Sequence, residues 1–333
     1  MSLFRKLSID LGTSRSLVWE VERGLVLDEP TIVAIGVEDR QILAVGEEAS
    51  VMLGKSPEYI EVIKPMRNGV IADYEVIEAM LKYFLRKVMG RMWLVKPEVM
   101  LCVPAGVTQV EQRAVLEATL SAGARRAYLI DEPLAGAIGA SIPVADSFGN
   151  MIVGVGGGVS EAAVISLGGV VAYKSLRLGG NKIDEVIIDY LKDKYDLVVG
   201  EQTAENIKMK IGSAIRPKRS KKMEVSGRSG IYGLPKKVEI DSLEIFESIE
   251  GVLREIVDMI KRTLKETPPE LVADIMDRGI VLIGGGVGLS DFNKLVSKEI
   301  GVGAHIALEP QLCVVKGSGI AMENLEVYRR ALR

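Results

Sequence analysis

Two glycine-bearing segments, at matched places in the two halves of the chain, hold the residues best suited to phosphate chemistry. Residues 9–13 read Ile-Asp-Leu-Gly-Thr and residues 153–157 read Val-Gly-Val-Gly-Gly, each between two β-rich runs. Glycine in a turn lets the backbone approach a ligand and point its amide groups at it, so two facing turns would hold an anion from both sides. The alternative is that each segment is only a hairpin turn.

A third glycine-rich segment, Gly-Gly-Gly-Val-Gly at 284–288, lies between an apolar run and a helix predicted to begin near Asp291. Alone it is weak evidence for a nucleotide site, and the chain has no GxxxxGK[ST] motif. One acid, Glu132, follows the strand predicted at 128–130. A carboxylate there would orient a water molecule for attack on a phosphate. The alternative is a solvated acid that caps the helix beginning near Pro133.

The composition excludes much other chemistry. The 333 residues include one histidine, His305, and two cysteines, Cys102 and Cys313, without CxxC spacing. A histidine-rich zinc or iron site and a structural metal or redox pair of cysteines are therefore not expected, and a Ser-His-Asp or Cys-His triad would have to depend on His305. The formal net charge of -3 argues against nucleic acid as the main partner. No apolar run reaches the roughly 18 residues that span a membrane, so we expect a cytoplasmic protein.

The elements that must position these residues alternate between strand and helix, which is typical of an α/β fold. The first half reads as βββαβα, with three strands within 7–36 and later elements predicted at 74–90 (helix), 99–104 (strand), 109–122 (helix), 128–130 (strand) and from Pro133 (helix). The second half repeats this order from residue 151, with helices at 182–195, 201–213 and 242–265. Residues 216–237 fit either paired edge strands or a mobile loop. Duplication of this kind implies two similar domains with a cleft between them.

Seven segments together resemble bacterial MreB, the rod-shape-determining actin homologues, in the same order over nearly the whole chain. They read IDLGTSRSLVW, LDEPTIVAIG, IKPMRNGVIADY, VPAGVTQVEQRAV, GARRAYLIDEPLAGAIGA, GEQTAENIKMKIGSA and RGIVLIGGGVGL. The family belongs to the superfamily of actin, Hsp70 chaperones and sugar kinases, so the resemblance implies an actin-like fold. We expect domain I at 1–143 plus 308–333, with a small insert at about 30–95. Domain II would span 144–307, with a small insert at about 182–245.

The resemblance implies a role for each matched residue. Asp10 would contact magnesium through water, Glu132 would position the attacking water, and Glu205 with Lys208 would contact the ribose and base of ATP or ADP. The first phosphate loop would comprise Asp10, Gly12, Thr13 and Ser14, and the second would comprise Gly156, Gly157, Gly158 and Val159. The adenosine turn would comprise Gly284, Gly285 and Gly286. The second connection between the domains would comprise Lys316 to Gly319. Arg15 is a further candidate that would supply positive charge beside the phosphates. The alternative for Arg15 is a solvated turn residue.

The chain departs from the family pattern on the catalytic side of the proposed cleft, as a divergent member. Where the family's second loop reads D-I-G-G-G-T-T-E, Gly154 stands in the place of the acid and Val159 in that of a hydroxyl, and Asn181 replaces a later acid. The internal repeat shows the same gap, because Asp10 is matched by Gly154. Loss of one carboxylate beside a hydrated magnesium typically costs about tenfold to a hundredfold in affinity or activity. We therefore predict ATP binding with weakened or absent hydrolysis, a weak ATPase at most.

Two apolar segments flanked by basic residues suggest contact with a membrane. The loop Arg91 to Pro97 carries the triplet Met92, Trp93 and Leu94, and MreB relatives have an apolar membrane loop at the equivalent place. The N-terminus pairs Leu3 and Phe4 with Arg5 and Lys6 in the manner of an interfacial anchor. The alternatives are that Trp93 folds back onto the domain, and that the N-terminal residues do not assist binding.

The resemblance implies an ATP-dependent filament on the inner face of the bacterial cell membrane, which organises cell-wall synthesis and cell shape. Its partners would be copies of itself, the inner membrane surface and the cell-wall elongation machinery, and not nucleic acid. The first alternative is a non-polymerising pseudo-ATPase that regulates a true MreB. Less favoured are a small-molecule kinase of the same superfamily, for which no sugar-binding insert is evident, and a chaperone-like protein, for which the chain has no peptide-binding domain after the ATPase core.

Overall fold

Residues 4–90 and 95–328 of the chain are described by the computed structural model. The first half runs in chain order through β1 (Lys6–Leu11), β2 (Arg15–Glu20), β3 (Gly24–Pro30), β4 (Val33–Gly36), β5 (Ile42–Val45), α1 (Glu47–Ser50), β6 (Ile60–Ile63), β7 (Met66–Arg67), β8 (Val70–Ile71), α2 (Tyr74–Met89), β9 (Glu98–Val103), α3 (Gln109–Ser121), β10 (Arg126–Asp131) and α4 (Glu132–Gly139).

The main sheet of the first half has the order β10-β9-β1-β2-β3. β1 and β2 form the antiparallel hairpin that carries the first glycine turn, and β9 and β10 run parallel to β1. All six residues of β9 are buried, as expected of a strand covered on both faces. On one face Leu7 and Leu101 pack with Phe84 of α2 in a single core. The amphipathic pattern of α2 therefore covers one side of this sheet.

The second half repeats the arrangement. It runs through β11 (Asn150–Val155), β12 (Ser160–Ser166), β13 (Gly169–Leu176), α5 (Gly180–Tyr195), β14 (Leu197–Val198), α6 (Glu201–Ile211), β15 (Lys222–Ser229), β16 (Pro235–Asp241), α7 (Ser242–Glu266), α8 (Pro269–Arg278), β17 (Ile280–Ile283), α9 (Phe292–Ile300), β18 (Ala304–Ile306), α10 (Cys313–Glu323) and α11 (Leu325–Tyr328). Its main sheet has the order β13-β12-β11-β17-β18. When only the strands of each main sheet are counted, and the first sheet is read from β3 and the second from β13, both orders are third, second, first, fourth, fifth strand. The predicted duplication and α/β fold are therefore confirmed.

Two helices, α4 and α10, lie between the halves. They cross so closely that a Cβ at Gly317 would come within 1.7 Å of the Ala135 carbonyl oxygen, and one at Gly139 within 1.8 Å of the Cys313 carbonyl oxygen. Residues of both helices share one core with Ile130 of the first sheet and Ile152 of the second. The connection between the halves is thus a packed layer, and glycine is required where the two helices touch.

Smaller sheets extend each half, β5-β4-β6 in the first and β14-β15-β16 in the second. Residues 216–237, left open between paired strands and a loop, contain most of the β15–β16 hairpin. Helix α8 was not predicted. An ion pair between Lys64, which follows β6, and Glu201 of α6 joins the two halves. The main sheets lie within 1–143 and 144–307, and the domain boundaries themselves stay a prediction.

Candidate functional site

The first two glycine segments form tight turns at the ends of matching hairpins. In the turn between β1 and β2, a Cβ at Gly12 would come within 2.6 Å of the Arg15 carbonyl oxygen. In the turn between β11 and β12, the Gly156 N–H donates to the Val159 carbonyl oxygen at 2.8 Å. A side chain on the inner side of either turn would obstruct the turn, which explains why residue 12 is a glycine.

The two turns meet across the cleft between the halves. A Cβ at Gly157 would lie 2.0 Å from Ser14 Oγ, and one at Gly158 would lie 2.6 Å from Thr13 Oγ1. The Ser14 hydroxyl donates to Asn181 Oδ1 at 2.9 Å, a hydrogen bond between the halves. The fold thus brings both predicted phosphate loops to one place, and glycine in the second loop permits that approach.

The beginning of α5 supports the second turn. The Gly180 N–H donates to the Gly156 carbonyl oxygen at 2.9 Å, and the Asn181 N–H donates to the Gly157 carbonyl oxygen at 2.8 Å. The amide groups of a helix N-terminus carry partial positive charge, which favours an anion nearby. Asn181 therefore contacts both turns, through its main chain and its side chain. As a neutral residue, it adds no negative charge beside them.

Lys208 and Glu205, the predicted ribose and base contacts, lie on α6. Lys208 Nζ donates to Asp184 Oδ2 at 2.7 Å and to the Gly180 carbonyl oxygen at 3.1 Å, which ties α6 to the start of α5. Burial raises the pKa of Asp184 to about 6, Lys208 opposes the rise, and the charge of Glu205 adds to it. Glu205 itself is exposed. Asp184 was missed from sequence because its partner, Lys208, is 24 residues away along the chain.

The third glycine turn packs against the end of β11. Gly284 has a φ of +88°, and a Cβ there would lie 2.4 Å from the Val155 carbonyl oxygen. A Cβ at Gly286 would lie 2.4 Å from Val155 Cγ1, whereas Gly285 has open space around it. Lys316 lies in the first turn of α10, half-buried. The turn is thus fixed beside the predicted second phosphate loop, and Gly285 faces open space.

Three carboxyl groups, of Asp10, Glu132 and Glu161, influence one another near the turns. Burial raises the pKa of Asp10 to about 6 and that of Glu161 to about 7. The pKa of Glu132 is raised well above its usual value by burial, and further by the charges of Glu161 and Asp10. Glu161 Oε1 accepts a hydrogen bond from the Ala105 N–H of the other half at 3.1 Å. Such a group of acids suits the holding of a water molecule or of a hydrated cation.

Glu161 had no role in the sequence interpretation, although it ends the family's second-loop pattern. An apolar cavity of about 280 Å³ opens beside Glu132, between α3 and the β7–β8 hairpin, and is also lined by Leu11 and Cys102. Within the described ranges, no group of three or more His, Cys, Asp or Glu side chains is arranged to hold a metal ion directly.

Gly154 lies where the internal repeat leads one to expect an acid. It is paired with Glu161 of β12 and with Ile283 of β17. A Cβ at this position would lie 3.5 Å from Ile283 Cγ1, an ordinary contact, and the backbone there is not left-handed. Neither packing nor backbone conformation therefore requires glycine at 154. Val159 packs against Gly69, whose Cβ would lie 2.6 Å from Val159 Cγ2.

Arg15 is directed towards acids of its own half. Its Nε donates to Asp28 Oδ1 at 2.6 Å, and its guanidinium also lies 3.7 Å from Glu47. Its side chain is about half exposed, with 48% of its surface accessible. The geometry matches the solvated-turn alternative more closely than the phosphate contact, which stays a prediction.

The predicted membrane residues fall in two classes. Leu3, Met92, Trp93 and Leu94 lie outside the described residues. Phe4 is partly buried, and its ring lies 3.7 Å from the guanidinium carbon of Arg125. In the described ranges no helix combines the length and the apolar content that a bilayer span requires.

Comparisons with known proteins agree with one another. The family model described as MreB/Mbl protein matches residues 4–330. The cell shape-determining protein MreB of Haemophilus influenzae is 46% identical over 97% of this chain and 94% of its own length. The cell shape-determining protein Mbl of Bacillus cereus is 42% identical over 99% of each chain.

Two solved structures are similar in fold. MreB5 of Spiroplasma citri bound to ADP superposes with a TM-score of 0.91 at 32% identity, over 97% of this chain and 99% of that one. The MamK double helical filament superposes with a TM-score of 0.80 at 20% identity, over 96% and 99%. The latter supports the actin-like fold alone.

Proposed function

The chain belongs to the MreB/Mbl family of cell shape-determining proteins, and on that premise we propose that it binds ATP and ADP between its two halves and polymerises into filaments on the inner face of the cell membrane. The filaments would organise cell-wall synthesis, with the elongation machinery as partner. Hydrolysis would be weakened by Gly154. The meeting of two glycine turns across the cleft carries the nucleotide proposal.

The contact between the turns supports phosphate binding. The second turn has no side chain between its backbone and Ser14, and its Gly156 and Gly157 carbonyl oxygens accept hydrogen bonds from the first amides of α5, which place the helix N-terminus against the turn. ATP brings about four negative charges, which backbone amides and a hydrated cation can balance. Magnesium bound with ATP would supply positive charge to the β- and γ-phosphates. Asp10, whose pKa is raised by burial, would be stabilised in its charged form by that cation.

Slow hydrolysis is expected because few side chains near the two turns could assist it. Glu132 begins α4 at the end of β10, where its carboxylate would orient the attacking water, and Glu161 lies close enough to raise its pKa. Gly154, on the first strand of the second sheet, adds no carboxylate there, and Val159 offers no hydroxyl. The attacking water would thus be oriented mainly by Glu132 of the first half, without an acid at position 154 of the second.

An exposed apolar tip supports filament formation. Ile231, Tyr232 and Leu234, at the end of the β15–β16 hairpin, are 74%, 77% and 65% exposed. Asp196 supports the backbone of the tip: Ser229 Oγ donates to Asp196 Oδ2 at 2.5 Å, and the Ile231 N–H donates to Asp196 Oδ1 at 3.1 Å. A group of exposed apolar residues indicates a protein contact, and a backbone already supported by hydrogen bonds loses less conformational freedom on binding. We assign this contact to the next copy of the chain.

Sedimentation with ATP, ADP or no nucleotide, with and without anionic vesicles, tests assembly. We expect pelleting with nucleotide and enrichment on vesicles, and a protein that never pellets would be the regulator instead. Calorimetric titration with ATP and magnesium tests the site. Gly157→Ala should weaken ATP binding, because its Cβ would lie 2.0 Å from Ser14 Oγ. Gly251→Ala, with nothing within 4 Å, is the matched control. Equal affinities of these two variants would contradict the proposed phosphate site.

A further inference from the structure

Thr31, the residue after β3, supports the predicted first phosphate loop from within the first half. Its hydroxyl donates to the Gly12 carbonyl oxygen at 2.7 Å, and its N–H donates to the Ser14 carbonyl oxygen at 3.0 Å. Thr31 is fully buried, so water does not compete for either hydrogen bond. One residue outside the loop therefore fixes two carbonyl groups of the turn between β1 and β2.

Ser16 gives the Thr31 hydroxyl its direction. Ser16 Oγ lies 2.9 Å from Thr31 Oγ1, and Ser16 is fully buried as well. A hydroxyl group has one proton to donate. Because Thr31 donates its proton to Gly12, the proton between the two hydroxyls must come from Ser16. The two side chains thus form a short buried chain of hydrogen bonds that ends on the loop, and such bonds strengthen one another.

The second half holds its matching loop in another way. Gly12 and Gly156 are counterparts, because each directly follows the first strand of its sheet. The Gly156 carbonyl oxygen accepts its hydrogen bond from the Gly180 N–H at the beginning of α5. In the first half β3 is followed by β4, so no helix begins at the matching place. The Thr31 hydroxyl therefore does for Gly12 what a helix amide does for Gly156.

Fixing a carbonyl group also fixes the amide group of the same peptide unit. A trans peptide is planar, and its N–H points away from its C=O. No peptide bond in the described ranges is cis. Because the Gly12 carbonyl group is held towards Thr31, the Thr13 N–H is directed to the opposite side of the turn. Amide groups that a turn presents in this way form the concave sites that bind anions.

We propose that Thr31 is a positioning residue for phosphate binding: its hydroxyl, aligned by Ser16, holds the first loop in the form that presents its amide groups to the nucleotide phosphates. This inference rests on the nucleotide binding proposed above and concerns the phosphates alone. Thr31 bonds to the first loop, whereas the predicted ribose and base contacts lie on α6 of the other half. Loss of the hydroxyl should therefore affect ATP and not adenosine.

Displacement of a fluorescent ADP analogue from the full chain measures the affinities of ATP and adenosine. Thr31→Val keeps the N–H and the shape of the side chain but removes the hydroxyl. It should weaken ATP binding about twofold to tenfold, the net contribution of one hydrogen bond, and leave adenosine binding unchanged. Thr31→Ser should retain the ATP affinity. Ser16→Ala should also weaken ATP binding selectively, but by less, because the bond from Thr31 to Gly12 remains.

The matched control is Thr263→Val, because Thr263 of α7 is equally buried and its hydroxyl donates to the Met259 carbonyl oxygen at 3.0 Å. The inference is overturned if Thr31→Val and Thr263→Val bind ATP equally, or if Thr31→Val loses adenosine affinity as much as ATP affinity. It is also overturned if Thr31→Ser binds ATP no better than Thr31→Val. Should Thr31→Val not fold, a Ser16→Ala variant with the ATP affinity of the unaltered chain overturns it. If the unaltered chain binds neither ATP nor ADP, the proposed nucleotide site itself fails, and the inference fails with it.

Discussion

Restoring an acid at position 154 should increase ATP hydrolysis. Gly154→Asp is tolerated sterically, because its Cβ would lie 3.5 Å and 3.8 Å from the two nearest Ile283 carbons. The position is the counterpart of Asp10: each is the fifth residue of the first strand of its sheet. A carboxylate there would therefore face a bound magnesium ion from the second half, as Asp10 would from the first.

The expected gain is about tenfold to a hundredfold in phosphate release, the range for a carboxylate that orients the waters of a metal ion. This corresponds to about 1.4–2.7 kcal/mol of transition-state stabilisation. The new acid would lie across the strand pair from Glu161, whose pKa is already raised to about 7. Like charges on neighbouring strands are destabilising, so without a cation the variant should unfold at a lower temperature than the unaltered chain.

Single-turnover phosphate release with saturating ATP, measured with magnesium and with a chelator, checks the prediction. Gly154→Asn is the matched control, because it fills the same space without the charge. Magnesium with ATP should raise the melting temperature of Gly154→Asp more than that of the unaltered chain. The reasoning is refuted if the unaltered chain and Gly154→Asp release phosphate at one rate, or if Gly154→Asn is as active as Gly154→Asp.

Three further predictions concern stability and assembly. Burial raises the pKa of Glu161 from its ordinary 4.5 to about 7, so the folded state binds the proton more tightly, and the free energy of unfolding should fall as pH rises through that interval. Glu161→Gln should lessen this decline. The prediction is contradicted if the free energy of unfolding, measured in urea, falls with pH as steeply in the variant as in the unaltered chain. Gly317→Ala would place a Cβ 1.7 Å from a backbone oxygen of α4 and should lower the free energy of unfolding in urea by about 1–3 kcal/mol or more. Gly251→Ala, whose Cβ would have nothing within 4 Å, should instead stabilise α7 by up to about 1 kcal/mol. Equal effects of the two substitutions would contradict the packing argument. Ile231→Asp should abolish pelleting, whereas Leu167→Asp, equally exposed at 74%, should retain it; pelleting by both would remove the hairpin tip from the filament contact.

The sequence by itself determined the duplication and the place of the turns. Strand and helix periods, and glycine at chain reversals, depend on neighbours in sequence, so the βββαβα order and the segments around Gly12 and Gly156 could be predicted. Comparison of the two halves also exposed the missing acid at Gly154. Helix α8 was missed, although proline at its start and glycine after its end are local signals for its limits.

Only the tertiary structure decided which side chains from distant segments share an environment. It brought Glu161 of one half into a hydrogen bond with the Ala105 N–H of the other, and it paired Arg15 with Asp28, 13 residues away along the chain. It also showed that Gly317 is required by the crossing of α4 and α10, whereas Gly154 is required by no contact. The physical reason is that burial, pKa and packing depend on groups brought together by strand register and helix crossing. Periodicity along the chain does not encode those contacts.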